Sequence, residues 1–188
     1  MEIIDILKQS AELLGLNAEV AILATAEEEN EQQYLGNENI ASLFDLIKFS
    51  IQELCSNYVP VVTETSITTT NKSYALSNLT NYIRLKNVTN ENGDVRVKII
   101  NRVIAFDEDG TYTLTYLTYP DIASMFDDVD YLSNLSPDAL VFGLCAYFCL
   151  AHGRFEEFKD FHERYVERAE SLKELKIFNL PNRRWEWN

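Results

Sequence analysis

The sequence predicts an α+β protein, mainly helical, in which a small antiparallel β-sheet of three or four strands is inserted between N-terminal helices and a C-terminal helical hairpin. Three observations carry this prediction. Apolar residues recur at steps of three and four over residues 40–57 and again over 155–175, the period of a helix with one buried face. Between them, β-branched and aromatic residues alternate with polar ones, punctuated by Asn-Gly and Asp-Gly turns. Beyond Tyr119-Pro120 and an acidic stretch, Ser136-Pro137-Asp138 opens a helix that His152-Gly153 closes.

Taken in order, residues 1–15 form an amphipathic helix with Ile3, Ile4, Leu7, Ala11 and Leu14 on one face and Gly15 placed to end it. Residues 18–26 suit a short second helix. Residues 27–39 are polar and acidic and read as a loop or a frayed helix end. The helix over 40–57 carries Ile40, Leu43, Phe44, Ile47, Ile51, Leu54 and Cys55, and Tyr58-Val59-Pro60 stops it, because the residue before proline is pushed out of the helical region. Strand character follows over 63–70, 82–89, 95–99 and 111–116, with turns at Asn90-Glu91-Asn92-Gly93 and Asp107-Glu108-Asp109-Gly110. Residues 71–81 have no clear period. Residues 120–135 read as an irregular crossover. In Ser136-Pro137-Asp138 the serine is expected to cap free amides, proline to take the first helical position and aspartate to suit the positive end of the helix dipole. The helix over 137–152 is apolar nearly all round and needs burial on most sides, whereas that over 154–175 has a stripe of Phe155, Phe158, Phe161, Tyr165, Ala169, Leu172 and Leu175. The expected organisation is a single domain over 1–188: a helical part (1–57 and 136–175), a β insert (58–119) and a C-terminal arm (176–188).

With 188 residues the chain can bury a core without disulfides or metals. Its formal charge of −14 is uneven. Residues 1–57 hold eleven acids and two lysines, and residues 120–153 hold five acids and no base. Such a surface disfavours free nucleic acid, whose affinity comes mainly from Lys and Arg against phosphate. The three cysteines, Cys55, Cys145 and Cys149, fall in apolar helical contexts and read as reduced thiols of a protein that folds inside the cell. Glu2 and Asp5 replace the basic start of a secretory leader, and no apolar run reaches the roughly 18–20 residues that span a bilayer.

Reactive chemistry is sparse. Cys145, Cys149 and His152 lie at i, i+4 and i+7 on one helix face, but a structural zinc site takes four ligands and one helix cannot wrap a tetrahedral ion, so core packing is expected. Asp107-Glu108-Asp109-Gly110 resembles half of a calcium loop. Aligned on its glycine, however, the first and last ligand positions fall on Ala105 and Tyr116, which leaves a hairpin turn. Asp127, Asp128 and Asp130 form an acidic loop that reads as a solvated or intersubunit element. His152 and His162 are the only histidines, and there is no nucleophile elbow, phosphate-cradling loop or dinucleotide fingerprint. No enzymatic activity, cofactor or metal is expected. Phe178, Leu180, Arg183, Arg184, Trp185 and Trp187 follow a helix that is already complete, and Trp and Arg are the types enriched where partners bind, so this arm is the candidate partner-binding surface.

The order of these elements resembles the head–tail connectors (tail adaptors) of tailed bacteriophages, the neck family that joins portal to tail. Residues 3–15 resemble the family's first helix and residues 39–58 its second, running into an extended segment at Tyr58-Val59-Pro60. The turn Asn92-Gly93, the closing strand ending in Tyr119-Pro120, the acidic loop before Ser136 and the turn His152-Gly153-Arg154 also have counterparts. The acidic stretch 18–39 is longer than the family's usual loop, and the larger sheet is more similar to the adaptors of short-tailed phages. The resemblance implies a structural virion protein that folds in the bacterial host cytoplasm. It would form a homo-oligomeric ring of about a dozen copies on a portal ring, with portal and tail or neck proteins as partners, no membrane, only non-specific proximity to DNA, and Asp127, Asp128 and Asp130 facing the DNA channel or a neighbouring subunit. The second reading is a small acidic cytoplasmic module, a regulator or immunity-type protein, that captures a basic partner.

Overall fold

A computed structural model describes residues 2–128 and 136–178, with side chains as far as Leu172. Mainly helical α+β architecture is what it contains, divided into two compact units. One is helical, from Met1–Ile51 and Ile122–Asn188; the other is β-rich, Gln52–Asp121.

In the helical unit, α1 (Ile3–Leu13) buries Ile3, Ile6, Leu7 and Ala11 at helical spacing. Gly15 ends it at φ +73°. The Gly15 amide donates to the Glu12 carbonyl at 3.2 Å and the Leu16 amide to the Ala11 carbonyl at 2.9 Å, the paired bonds of a glycine-terminated helix. After α2 (Asn17–Ala24), the acidic stretch expected to be loop or frayed helix contains a short 3-10 turn, Glu28–Asn30, and a one-turn helix, α3 (Glu31–Tyr34). Helix α4 runs over Glu38–Asn57, with Asn37 accepting the amides of Asn39 and Ile40 at its start.

Helix α5 (Pro137–Ala151) is apolar all round because it packs against both α1 and α6 (Phe155–Phe178). The cap assigned to Ser136 needs correction: its side chain makes no capping bond. The amide a serine hydroxyl would take, that of Ala139, donates to the Ser136 backbone carbonyl at 3.0 Å instead. At the other end Gly153 (φ +71°) repeats the closure of α1, with Gly153 N–H bonded to the Leu150 carbonyl and Arg154 N–H to the Cys149 carbonyl at 2.8 Å.

The β unit holds two antiparallel sheets rather than one. The strands are β1 (Val61–Thr69), β2 (Ser73–Ala75), β3 (Tyr82–Asn90), β4 (Gly93–Asp94), β5 (Lys98–Ile100), β6 (Val103–Ala105) and β7 (Gly110–Thr118). Their orders are β1-β7-β3-β4 and β2-β6-β5. The second sheet escapes a sequence reading because its strands are three residues long, too short for alternation to register. Its hairpin also turns through Asn101 and Arg102 at φ +50° and +64°, and arginine is no turn signal. Residues 95–97, expected to be strand, are tied instead by the Val95 amide to the Val88 carbonyl at 2.8 Å. Side chains from both sheets, among them Ile67, Val88, Ile104, Tyr112, Leu114 and Tyr116, meet in one buried cluster. This core gives the unit its own hydrophobic centre.

Candidate functional site

Of the acidic loop, Asp127 and Asp128 are described and Asp130 lies outside the described residues. Asp127 is a structural staple. Its carboxylate Oδ2 accepts the amides of Ala123 (2.7 Å) and Ser124 (2.8 Å), folding the segment into a tight turn. The carbonyls this turn presents then satisfy the start of α1. Ile4 N–H donates to Met125 O at 2.7 Å and Ile3 N–H to Asp127 O at 3.0 Å, while Glu2 and Asp128 form an isolated antiparallel bridge. These amides are the orphan donors that every helix must place somewhere. No capping side chain takes them in α1, so the backbone of the segment does.

Glu31 fixes the segment from a third direction. Its Oε1 accepts the Met125 amide at 2.6 Å, and its Oε2 accepts the Ser124 hydroxyl at 3.0 Å. Met125 is fully buried. The sequence marked Glu31 only as one acid among several. What distinguishes it is two bonds to residues more than ninety positions away, for which local pattern holds no signal.

The two thiols of this α5 face are core, whereas His152, expected to pack with them, is exposed at the end of the helix. Cys145 Sγ donates to the Ser10 carbonyl at 3.7 Å, and burial pushes its thiol up to about 12. Burial raises the Cys149 thiol as well. His152 stacks on Phe148 with ring centroids 3.9 Å apart, and its Nδ1 lies 2.9 Å from the Phe148 carbonyl, where it must carry the proton. The described residues contain no group of three or more His, Cys, Asp or Glu side chains arranged to hold a metal ion.

Arg154, which the sequence offered only as part of a turn, links the hairpin to α1. Its guanidinium pairs with Glu157 and donates to the Leu14 carbonyl at 3.4 and 3.5 Å, placing a cation at the negative end of α1. That guanidinium holds the Glu157 carboxyl below its ordinary range.

In the β unit, the tips of the β3–β4 and β6–β7 turns flank an open polar depression of about 480 Å³ that includes Glu91, Glu108 and Asp109. Its groups serve the turns: Asp109 accepts the Lys72 amide at 2.6 Å, and the Tyr112 hydroxyl donates to the Glu108 carbonyl at 2.8 Å. The hairpin expected of Asp107-Glu108-Asp109-Gly110 needs correction: the segment is a turn, but it leads from β6 in one sheet to β7 in the other, so the strands it joins do not pair.

The candidate partner-binding arm falls largely beyond description. Phe178 is the last residue of α6, with its side chain outside the described set, and Leu180, Arg183, Arg184, Trp185 and Trp187 lie outside the described residues. What the described surface does offer is exposed apolar bulk: Leu13, Phe49, Leu150 and Phe155 on the helical unit and Val62, Ile99 and Ile100 on the β unit. No protein-family model matches the chain, and no curated protein matches it.

Proposed function

We propose that this chain is a structural assembly protein of a tailed phage or prophage, a neck adaptor that joins portal to tail as a ring of about a dozen copies. The observation that carries the reading is the order of elements. Helices α1 to α4 are followed by a β unit, a connecting segment stapled by an aspartate, the apolar helix α5 opened by Pro137, and a glycine-turned α6. This is the order on which the likeness to head–tail connectors rests. The exposed apolar side chains support assembly, since a highly acidic chain gains nothing in solubility from large aliphatic and aromatic groups in water. The arm bearing Trp185 and Trp187 is the part proposed to reach a neighbouring copy or the portal, and Asp128 and Asp130 are the acids proposed to face DNA or a neighbour.

Co-sedimentation with a purified portal ring tests this reading. Saturable binding in a ratio near one chain per portal subunit is expected. A chain that ignores portal rings and instead forms a tight one-to-one complex with a small basic protein would replace it with the second reading, an acidic binding module.

A further inference from the structure

Among the described residues the two sheets of the β unit end in four border strands, β1, β4, β2 and β5, and two of these, β1 and β5, stand out. Strand β1 is nine residues long, borders its sheet, and pairs with β7 in one unbroken register from Val61–Thr118 to Thr69–Gly110. Among the described residues no strand pairs with its outer side. Apart from the single charge of Glu64 it carries none of the usual protections of an edge: no lysine, no proline within the strand, no bulge. By contrast β3, inside the sheet, has two register shifts, and the opposite border, β4, is only two residues long. Strand β5 borders the second sheet, and all three of its residues are exposed. Two of them are among the most exposed large apolar side chains described, Ile99 at 47% and Ile100 at 59%.

We infer that β5 of one copy adds to the β1 edge of a second copy, so that copies join head to tail through a sheet shared between two chains. One antiparallel register aligns every distinctive side chain. It sets Lys98 opposite Glu64, Ile99 opposite Thr63 and Ile100 opposite Val62. Glu64 is the only charged residue of β1, and Lys98 the only one of β5. Val62, itself 50% exposed, and Ile100 fall in the same row as the charge pair, because side chains alternate along both strands. Opposite charges and apolar residues directly across an antiparallel pair are the favourable cross-strand combinations. The two edges are different surfaces, so the contact is heterologous and propagates, which is the kind of contact a ring requires. The inference rests on the assembly reading above and names its contact.

The experiment uses the full chain with Val62→Lys and Ile100→Lys. Each places an ammonium opposite an apolar partner, and both positions are exposed enough to leave the fold intact, which circular dichroism checks. Light scattering should show wild-type chain associating as concentration rises and each variant associating about tenfold more weakly or not at all. An equimolar mixture should give dimers that do not grow, since Val62→Lys keeps a working β5 and Ile100→Lys a working β1. A Thr63→Cys/Ile99→Cys chain should crosslink between copies under mild oxidation, and Ser66→Cys/Ile99→Cys should not. Variants that associate like wild type, a mixture that behaves as its components do, or a wild-type chain monomeric at about 1 mM would each overturn the contact. Portal binding is scored separately. Chains that pair by these edges yet ignore a portal ring would remove the neck role and leave the contact standing. Chains that bind the portal unaffected by the edge substitutions would remove the contact alone.

Discussion

Gly143 shows how little room the helical unit leaves. A β-carbon there would sit 3.0 and 3.1 Å from the Tyr165 ring and 3.7 Å from the Ser50 hydroxyl, so any larger residue would press the fully packed Tyr165 ring aside by a few tenths of an ångström. Gly143→Ala should cost about 1–3 kcal/mol, the range for overpacking a filled core, read as a lower melting temperature. The neighbouring Ser50 is fully buried, and its hydroxyl has no hydrogen-bond partner among the described residues. Ser50→Ala should therefore raise stability by about 1 kcal/mol, because it removes an unsatisfied polar group. Glu19 is a buried acid of a different kind. Its Oε1 accepts the Asn39 side-chain amide at 2.7 Å, and that bond, outweighing burial, holds its carboxyl below the ordinary value of 4.5. A carboxyl that titrates lower folded than unfolded contributes its full stabilisation above the unfolded value and loses it as pH falls through the folded one. Glu19→Gln should thus melt lower than wild type at pH 7, and the gap should narrow as both are titrated from about pH 5 to pH 3.

At the scale of elements, the segment before α5 is held by one carboxylate from α3 and returns the favour to the first turn of α1. Glu31→Ala would strip the partner from the Met125 amide and the Ser124 hydroxyl, at a cost of about 1.5–3 kcal/mol for bonds to a charged group. Hydrogen exchange should then accelerate first at the Ile3 and Ile4 amides. Retained protection there would show that the segment holds without Glu31. The helices were legible in sequence by different signals: α4 and α6 by long apolar periodicity, α5 by its all-round apolar composition and its Ser136-Pro137-Asp138 start, with Gly15 and Gly153 marking two closures. The second sheet was not legible, since three-residue strands and a turn through Arg102 leave no local pattern. Nor was the role of Asp127, whose bonds depend on where residues 123 and 124 fall. An acid that looks solvent-facing in sequence is spent on backbone amides in the fold.

On the scale of the whole molecule, deletion of residues 178–188 should leave a folded chain that no longer binds portal rings. Loss of folded protein on that deletion would assign the arm to the core instead. Composition draws attention to the aromatic arm and the acids, but the exposed border strands escape it, because a border strand is defined by its place in the sheet and a single sequence does not state that. The helical unit draws on both ends of the chain, so Ser10 reaches Val141, and Leu14 reaches Arg154, across the whole β unit. During synthesis α1 can pack on α2 at once but must await α5, whereas the β unit has its full complement of strands by residue 121. The middle of the chain can therefore complete itself on the ribosome, shortening the tether between the first helix and the last. The face of α1 that meets α5 stays open until Pro137–Ala151 has been made, long after α2 has folded beside it.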